Sequence, residues 1–299
     1  MTSRKVTAVL TTFNSESDAK QCIDSLLNQT TRFDEIVVVD DGSKDGTVDV
    51  LKKYGSKIRL SGLKKNIGRS AARNYGWKKA KNGIVFFAES DAVYDSNFVK
   101  YSMPHFDDEK IAGVIGKQEV LNKNESVWTK CKNAERETAF ENYKPFSVWF
   151  HRKKLLEKAD GFDESLDFGE DVDLSKRIKN FGHKLDYEEK AIWKHREPAS
   201  LKAVIKRSWS FGKGINKYYK KTGFPKTVFL DFVVLLTIFG SFFYFPLILV
   251  FTGYLLAKLL VSIKLFGKIS PVYWIYLIIF ILVPSFTFKM GRIIGFIKG

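Results

Sequence analysis

"IVFFAESDA", residues 84–92, runs five apolar or aromatic residues straight into Glu89, Ser90 and Asp91. The run has the length and composition of a buried strand, yet it closes on two carboxylates two positions apart. In extended backbone residues i and i+2 share a face, so Glu89 and Asp91 repel one another unless a cation lies between them. The stretch predicts a strand end built to receive positive charge.

Similar units surround it. Val6–Leu10, Glu35–Val39, Lys57–Leu60 and Ala112–Val120 read as further strands, and 17–28, 45–54 and 67–80 read as helices between them. Asp171 and the stretch Leu174–Ile178 have helical spacing, with the acids of "GEDVD" (169–173) at the helix start, where the dipole tolerates negative charge. Alternating strands and helices predict an α/β domain around a Rossmann-like, mostly parallel sheet flanked by helices. "TTFN" (11–14), "DDGS" (40–43) and "ESDA" (89–92) each come directly after a strand. Ligands of such sheets bind beyond the carboxyl ends of the strands, so the three clusters are expected to meet.

A chain of 299 residues with 45% apolar composition can bury a sizeable core and is not a disordered polymer. Its two cysteines, Cys22 and Cys131, supply neither a disulfide framework nor a metal cluster, which fits a reducing compartment. The net charge of +16 is uneven: from Lys194 to Lys226 there are ten Lys or Arg against one acid, Glu197. Such a run attracts phosphates of nucleic acid, nucleotide or lipid alike.

The apolar segments C-terminal to this basic run decide for lipid. Val228–Ile263 and Val272–Phe288 are dominated by Phe, Leu, Ile and Val, with only Asp231 and Lys258 charged. Seventeen apolar residues at about 1.5 Å each approach a hydrocarbon core of roughly 30 Å, so these read as membrane segments. The first stretch, 36 residues, forms either a hairpin turning near Pro246 or one tilted span ending near Lys258. Lys264 and Lys268 favour three spans in all, whereas Lys289, Arg292 and Lys298 favour an even number. Between Leu201 and Tyr219, Lys202, Lys206, Arg207, Lys213 and Lys217 alternate with Ile and aromatic residues, the composition of a helix at headgroup level. The expected organisation is a cytosolic catalytic domain over 1–197, an interfacial segment over 198–226 and a transmembrane region over 227–299, in an integral membrane protein with no nucleic-acid partner.

The motifs "TTFN", "EIVVVDDGSKDGT", "NIGRSAARNYG", "FFAESDA", "GFDE", "GEDVDLSKRI" and "WKH" occur in this order over roughly residues 5–200. Together they resemble the family 2 glycosyltransferases, inverting enzymes with the glycosyltransferase-A fold. The resemblance implies a nucleotide-sugar donor, UDP-linked rather than GDP-linked, and Mn²⁺ or Mg²⁺ on its diphosphate. Asp91, with Glu89 and His195, would hold the metal. Two carboxylates and phosphate oxygens suit a hard divalent cation on chemical grounds as well. Glu89 stands where the family has Asp, and Ala92 where an acid is common, so Asp91 is the firmer ligand; Glu89 then acts on the ribose or through water, with Ser90 beside it.

By the same resemblance Thr11 and Asn14 line the donor pocket, Asp41 meets the base, and Asp40 is ribose-directed or structural. Arg69 and Arg73 either meet the diphosphate or form a solvated helix face. Asp171 is the expected general base, with Glu170 tuning its charge or touching the acceptor. A base is needed for a hydroxyl nucleophile and not for a phosphate, so "GEDVD" favours a hydroxyl of a lipid-linked or other membrane-associated glycan over a polyprenyl phosphate. The Gln-x-x-Arg-Trp motif of processive synthases has no counterpart in "IKRSWSFGKG", which implies one sugar per encounter. The rival class is a catalytically inactive relative serving as a membrane scaffold, with the atypical "ESDA" as its mark.

Overall fold

Strands without a polar face must be covered on both sides, and the runs at 6–12, 35–40 and 84–89 are of this kind. In the computed structural model, which describes residues 5–139, 148–223 and 274–298 with scattered positions between 237 and 271, they lie side by side. Most of the apolar stretch 228–263, including the expected turn at Pro246, lies outside the described residues. The chain divides into two compact units, one of residues 1–121 and 142–196, the other of 122–141 and 197–299.

The first unit is an α/β fold around an eight-stranded sheet. Strands β1 (Val6–Thr12), β2 (Glu35–Asp40), β3 (Arg59–Gly62) and β4 (Ile84–Glu89) make its parallel half, in the order β3-β2-β1-β4. The other half is mixed. β7 (Phe150–Arg152) runs antiparallel to β4 and to β6 (Ile111–Val120), β8 (Lys184–His195) lies parallel to β6, and β5 (Ala92–Tyr94) is antiparallel to β8. The sheet is therefore mixed rather than mostly parallel. Only Ser90 and Asp91 separate β4 from β5, far too few residues for a parallel crossover.

Side chains of the strands alternate between two apolar layers. Ala8, Leu10, Phe86 and Ala88 pack under Ala19, Cys22, Ile23 and Leu26 of helix α1 (Glu16–Leu27). Val9, Val37, Val39, Val85 and Phe87 face the opposite layer, built on α3 (Arg69–Lys79) and α7 (Glu170–Lys179). Glu89 continues the series Val85, Phe87, so the pleat aims its carboxylate at the layer of α3 and α7. Helix α2 (Thr47–Lys52) comes after β2; Phe98 and Val99 of α4 (Phe98–Ser102) join the layer of α1, and Leu155 and Leu156 of α6 (Lys153–Lys158) join the opposite one.

The second unit contains α5 (Val127–Ala139), α8 (Leu201–Thr222) and α9 (Trp274–Lys298). Cys131 and Ala134 of α5 pack on Leu277, Phe280 and Ile281 of α9. Helices α8 and α9 cross at backbone contact, because a Cβ at Gly212 would collide with the Phe288 carbonyl. There Asn216 Nδ2 donates to the Arg292 carbonyl at 2.7 Å. Among the described residues one helical stretch, Ile275–Arg292, is long and apolar enough to cross a membrane.

Candidate active site

The strand register brings the polar clusters together. Thr12 lies opposite Asp40, Asp40 opposite Gly62, and Thr11 opposite Glu89, so the carboxyl ends of four strands stand level. The loops beyond them are laced to one another. The Asn14 amide donates to Ser43 Oγ at 2.9 Å, and the Lys44 amide donates to Asn14 Oδ1 at 2.9 Å. The Ser15 and Ser90 hydroxyls lie 3.2 Å apart, tying the residue after "TTFN" to "ESDA". Asn14 sits at φ 49°, a left-handed conformation that Asn tolerates better than most residues.

Glu89 and Asp91 meet His195 at this edge. His195 ends β8 opposite Ala92 of β5, and the next amide, of Arg196, donates to the Asp91 carbonyl at 3.2 Å. His195 Nε2 stands 3.1 Å from Asp91 Oδ2 and 3.9 Å from Glu89 Oε2. One ligating atom from each residue falls within 4.8 Å of the others. Burial is the main cause holding the Glu89 carboxyl above its ordinary pKa; His195, Arg73 and Arg69 oppose the rise and Asp91 adds to it. Two carboxylates and an imidazole, from two strand ends, form a donor set that fits a divalent cation such as Mn²⁺ or Mg²⁺.

Arg73 does not form a solvated face. Its side chain is 4% exposed, and the guanidinium donates to Glu170 Oε1 at 2.7 Å and lies over the rings of Trp149 and Phe162. Glu170 is equally buried, so it is the counter-ion of Arg73. Arg69, half exposed, approaches the same carboxylate at 3.6 Å. Because both arginines also act on the Glu89 charge, the start of α7 and the end of β4 belong to one electrostatic site. Asp173 is held by Arg177, whose Nε donates at 2.8 Å. Asp171 is half-buried on the first turn of α7 between these two committed acids.

The paired aspartates at the end of β2 have separate partners. Asp40 Oδ2 accepts from the Ser43 amide at 3.1 Å and so closes its own turn. Both oxygens of Asp41 accept backbone amides, Ile67 at 2.8 Å and Gly68 at 3.1 Å, which fixes the loop leading into Arg69. Burial raises the Asp41 pKa against these two donors, and Asp40 adds to the rise. Ser15, Trp149 and Phe162 were not singled out by the sequence: each acts through a contact distant in the chain. The Asp173–Arg177 pair, by contrast, has the i, i+4 spacing that sequence displays.

The profile of glycosyl transferase family 2 matches residues 7–165, the stretch that carries β1 to β4 and their loops. The chain belongs to glycosyl transferase family 2. Among its relatives is the poly(ribitol-phosphate) β-N-acetylglucosaminyltransferase TarP of Staphylococcus aureus, 35% identical over 129 residues, which are 42% of this chain and 39% of TarP. This family 2 chain thus spans well under half the length of that relative. Its fold is the glycosyltransferase-A type. It superposes on the mannosyltransferase PcManGT of Pyrobaculum calidifontis with a TM-score of 0.62 at 15% identity, over 97% of this chain and 87% of PcManGT. On S. aureus TarS 1–349 in complex with UDP-GlcNAc the TM-score is 0.54 at 21% identity, over 69% of this chain and 66% of TarS 1–349.

Proposed function

We propose that this family 2 protein is a membrane-bound, metal-dependent, inverting glycosyltransferase that moves one sugar from a nucleotide sugar to a hydroxyl of a lipid-linked or other membrane-associated glycan. The observation that carries the reading is the cluster of Glu89, Asp91 and His195, set at the strand ends beside Arg69 and Arg73. The solved relatives are described with UDP-GlcNAc in one case and with GDP-Man and Mn²⁺ in another. Both donor classes are therefore chemically reasonable here, and UDP-sugars are the first to test.

In this reading Asp91, Glu89 and His195 hold the cation, which when bound neutralises charge on the departing diphosphate. Arg69 offers a half-exposed guanidinium to the same phosphates. Arg73 keeps Glu170 in place and so orients the first turn of α7. Asp171 accepts the proton of the acceptor hydroxyl as that oxygen bonds to the anomeric carbon; the bond to the nucleotide breaks on the opposite face, and its electron pair leaves with the diphosphate. The exposed Lys202, Lys206 and Lys213 of α8, together with the apolar helix α9, support attachment to an anionic membrane surface from the cytosolic side.

The test is thermal stabilisation of the purified protein by a panel of UDP- and GDP-sugars with and without Mn²⁺. A ligand that binds only the folded state raises the melting point. Stabilisation by one donor that requires the metal supports the reading, and its absence across the whole panel overturns it.

A further inference from the structure

The second unit holds a cavity of about 550 Å³ that none of the donor chemistry uses. Three helix faces line it. Trp128, Lys132, Glu135 and Arg136 are spaced along one side of α5, Val204, Arg207, Ser208 and Phe211 along one side of α8, and Phe280, Pro284 and Phe288 along one side of α9. Its volume is that of an ordinary small-molecule site.

The lining is divided by chemistry. On the polar part Glu197, its side chain 2% exposed, is shared by Arg207 at 2.5 Å and Arg136 at 3.4 Å. Lys132 is matched by Glu135 at 2.5 Å. Three cations thus face two carboxylates, and both carboxylates are already engaged. A guanidinium carries five N–H donors, so two guanidiniums on one carboxylate leave donors over; among the described residues Arg136 Nε is buried with no acceptor. The apolar part is supplied by Phe211, Phe280, Ile281 and Phe288, with Phe280 and Ile281 packed into the cluster between α5 and α9. The lining pairs a surplus of positive charge with hydrocarbon.

We infer that this cavity binds an anionic amphiphile, with a phosphate head at Arg136 and Arg207 and the adjoining hydrocarbon against Phe280 and Phe288. The inference goes beyond the transferase reading and stands without it, because the binding involves neither a sugar donor nor the Glu89–Asp91–His195 cluster. The phosphate can come from a carrier lipid such as a polyprenyl monophosphate or from a bulk phospholipid of the bilayer. Both present the same head and tail chemistry to the cavity.

The experiment uses the full chain in neutral detergent without nucleotide sugar, with dodecyl phosphate as probe and dodecanol as its uncharged counterpart. Dodecyl phosphate should bind at least about tenfold more tightly than dodecanol, a difference of about 1.4 kcal/mol. Arg136→Gln should remove most of that advantage. Because loss of a cation beside buried Glu197 can unfold the unit, Ser208→Trp supplies a second variant that fills the cavity and leaves the ion cluster intact; it should weaken dodecyl phosphate about tenfold with the melting point unchanged. Displacement by farnesyl monophosphate but not by phosphatidylglycerol identifies a carrier lipid, and equal displacement by both identifies bulk lipid; either supports the site. Equal affinity for dodecyl phosphate and dodecanol, or a folded Ser208→Trp variant that binds dodecyl phosphate as the parent does, overturns it.

Discussion

Arg73 of α3 and Glu170 of α7 form an ion pair at 2.7 Å with both side chains 4% exposed, joining two helices that are ninety-seven positions apart in the chain. Removing Arg73 leaves buried Glu170 with only the longer contact to half-exposed Arg69, so the cost falls at the lower end of the about 3–5 kcal/mol of a buried charge left alone. Arg73→Met should therefore lower unfolding stability by that amount. The double variant Arg73→Met/Glu170→Leu should regain most of it, because two apolar groups need no counter-charge. Urea titrations of the four proteins measure this, and additive losses would contradict the pairing.

The acids at the end of β4 give the opposite expectation. Burial disfavours the ionised Glu89 carboxylate when no cation is present, and the charge of Asp91 adds to this in smaller measure. Asp91→Asn should leave the metal-free protein as stable as the parent or more so, while abolishing Mn²⁺-dependent stabilisation by a nucleotide sugar. His195→Gln should weaken the metal effect less, since two carboxylates remain. Calorimetric titration with Mn²⁺ in the presence of UDP-sugar separates the two variants.

Asp171 is the residue on which the type of acceptor turns. If it takes a proton from a hydroxyl, Asp171→Asn should lower kcat by about 10²- to 10⁴-fold and leave donor affinity unchanged. An acceptor that is already an anionic phosphate has no proton to give. Retention of full rate in the variant would move the assignment to a phosphate acceptor. Single-turnover assays with separately measured donor affinity make the distinction.

Much of this site is legible in the sequence because its parts are local. The alternation of Val85, Phe87 and Glu89 fixes which layer the carboxylate faces, and the polar clusters after β1, β2 and β4 are located by the strand ends. Three features are not legible. β5 and β7 are three residues each, too short to show a period of two, so the antiparallel half of the sheet is hidden. Arg73 has the sequence context of an exposed helix face, and its burial depends on Trp149 and Phe162, which lie seventy-six and eighty-nine positions away. The contact of α5 with α9 joins segments roughly 150 residues apart through small and apolar side chains of no distinctive pattern.

His151, on β7, carries a pH dependence. Burial, reinforced by the charge of Arg73, pushes its pKa down to about 4, whereas an unfolded chain has it near 6.5. Between these values the unfolded state binds the proton and the folded state does not, so stability falls as pH falls through this window. The loss should reach about 2 kcal/mol at pH 5 relative to pH 7.5. His151→Phe, next to Phe87 in the same layer, should flatten that part of the profile. Denaturant midpoints at the two pH values compare the proteins, and an unchanged slope in the variant would assign the acid sensitivity elsewhere.

Gly42 ties the loops beyond β2 and β3 to one another. It sits at φ 76°, and a Cβ there would lie 2.7 Å from the Lys65 carbonyl carbon and 2.8 Å from the Asn66 nitrogen, both backbone atoms that cannot rotate away. Gly42→Ala must therefore displace the 65–68 segment, whose Ile67 and Gly68 amides are the donors to Asp41. Overpacking and the left-handed backbone together should cost about 1–3 kcal/mol of stability. The loop shift also moves Arg69, so donor affinity should drop by more than the stability loss alone explains at temperatures where the variant is fully folded. Asp41→Asn tests the same joint from the other side: an amide can offer its single oxygen to only part of the pair of backbone donors, and its NH₂ faces them unfavourably. Donor titrations at 15 and 30 °C would show parallel weakening in both variants if the Asp41 clamp positions the pocket. Full affinity in either folded variant would restrict Asp41 and Gly42 to holding the turn.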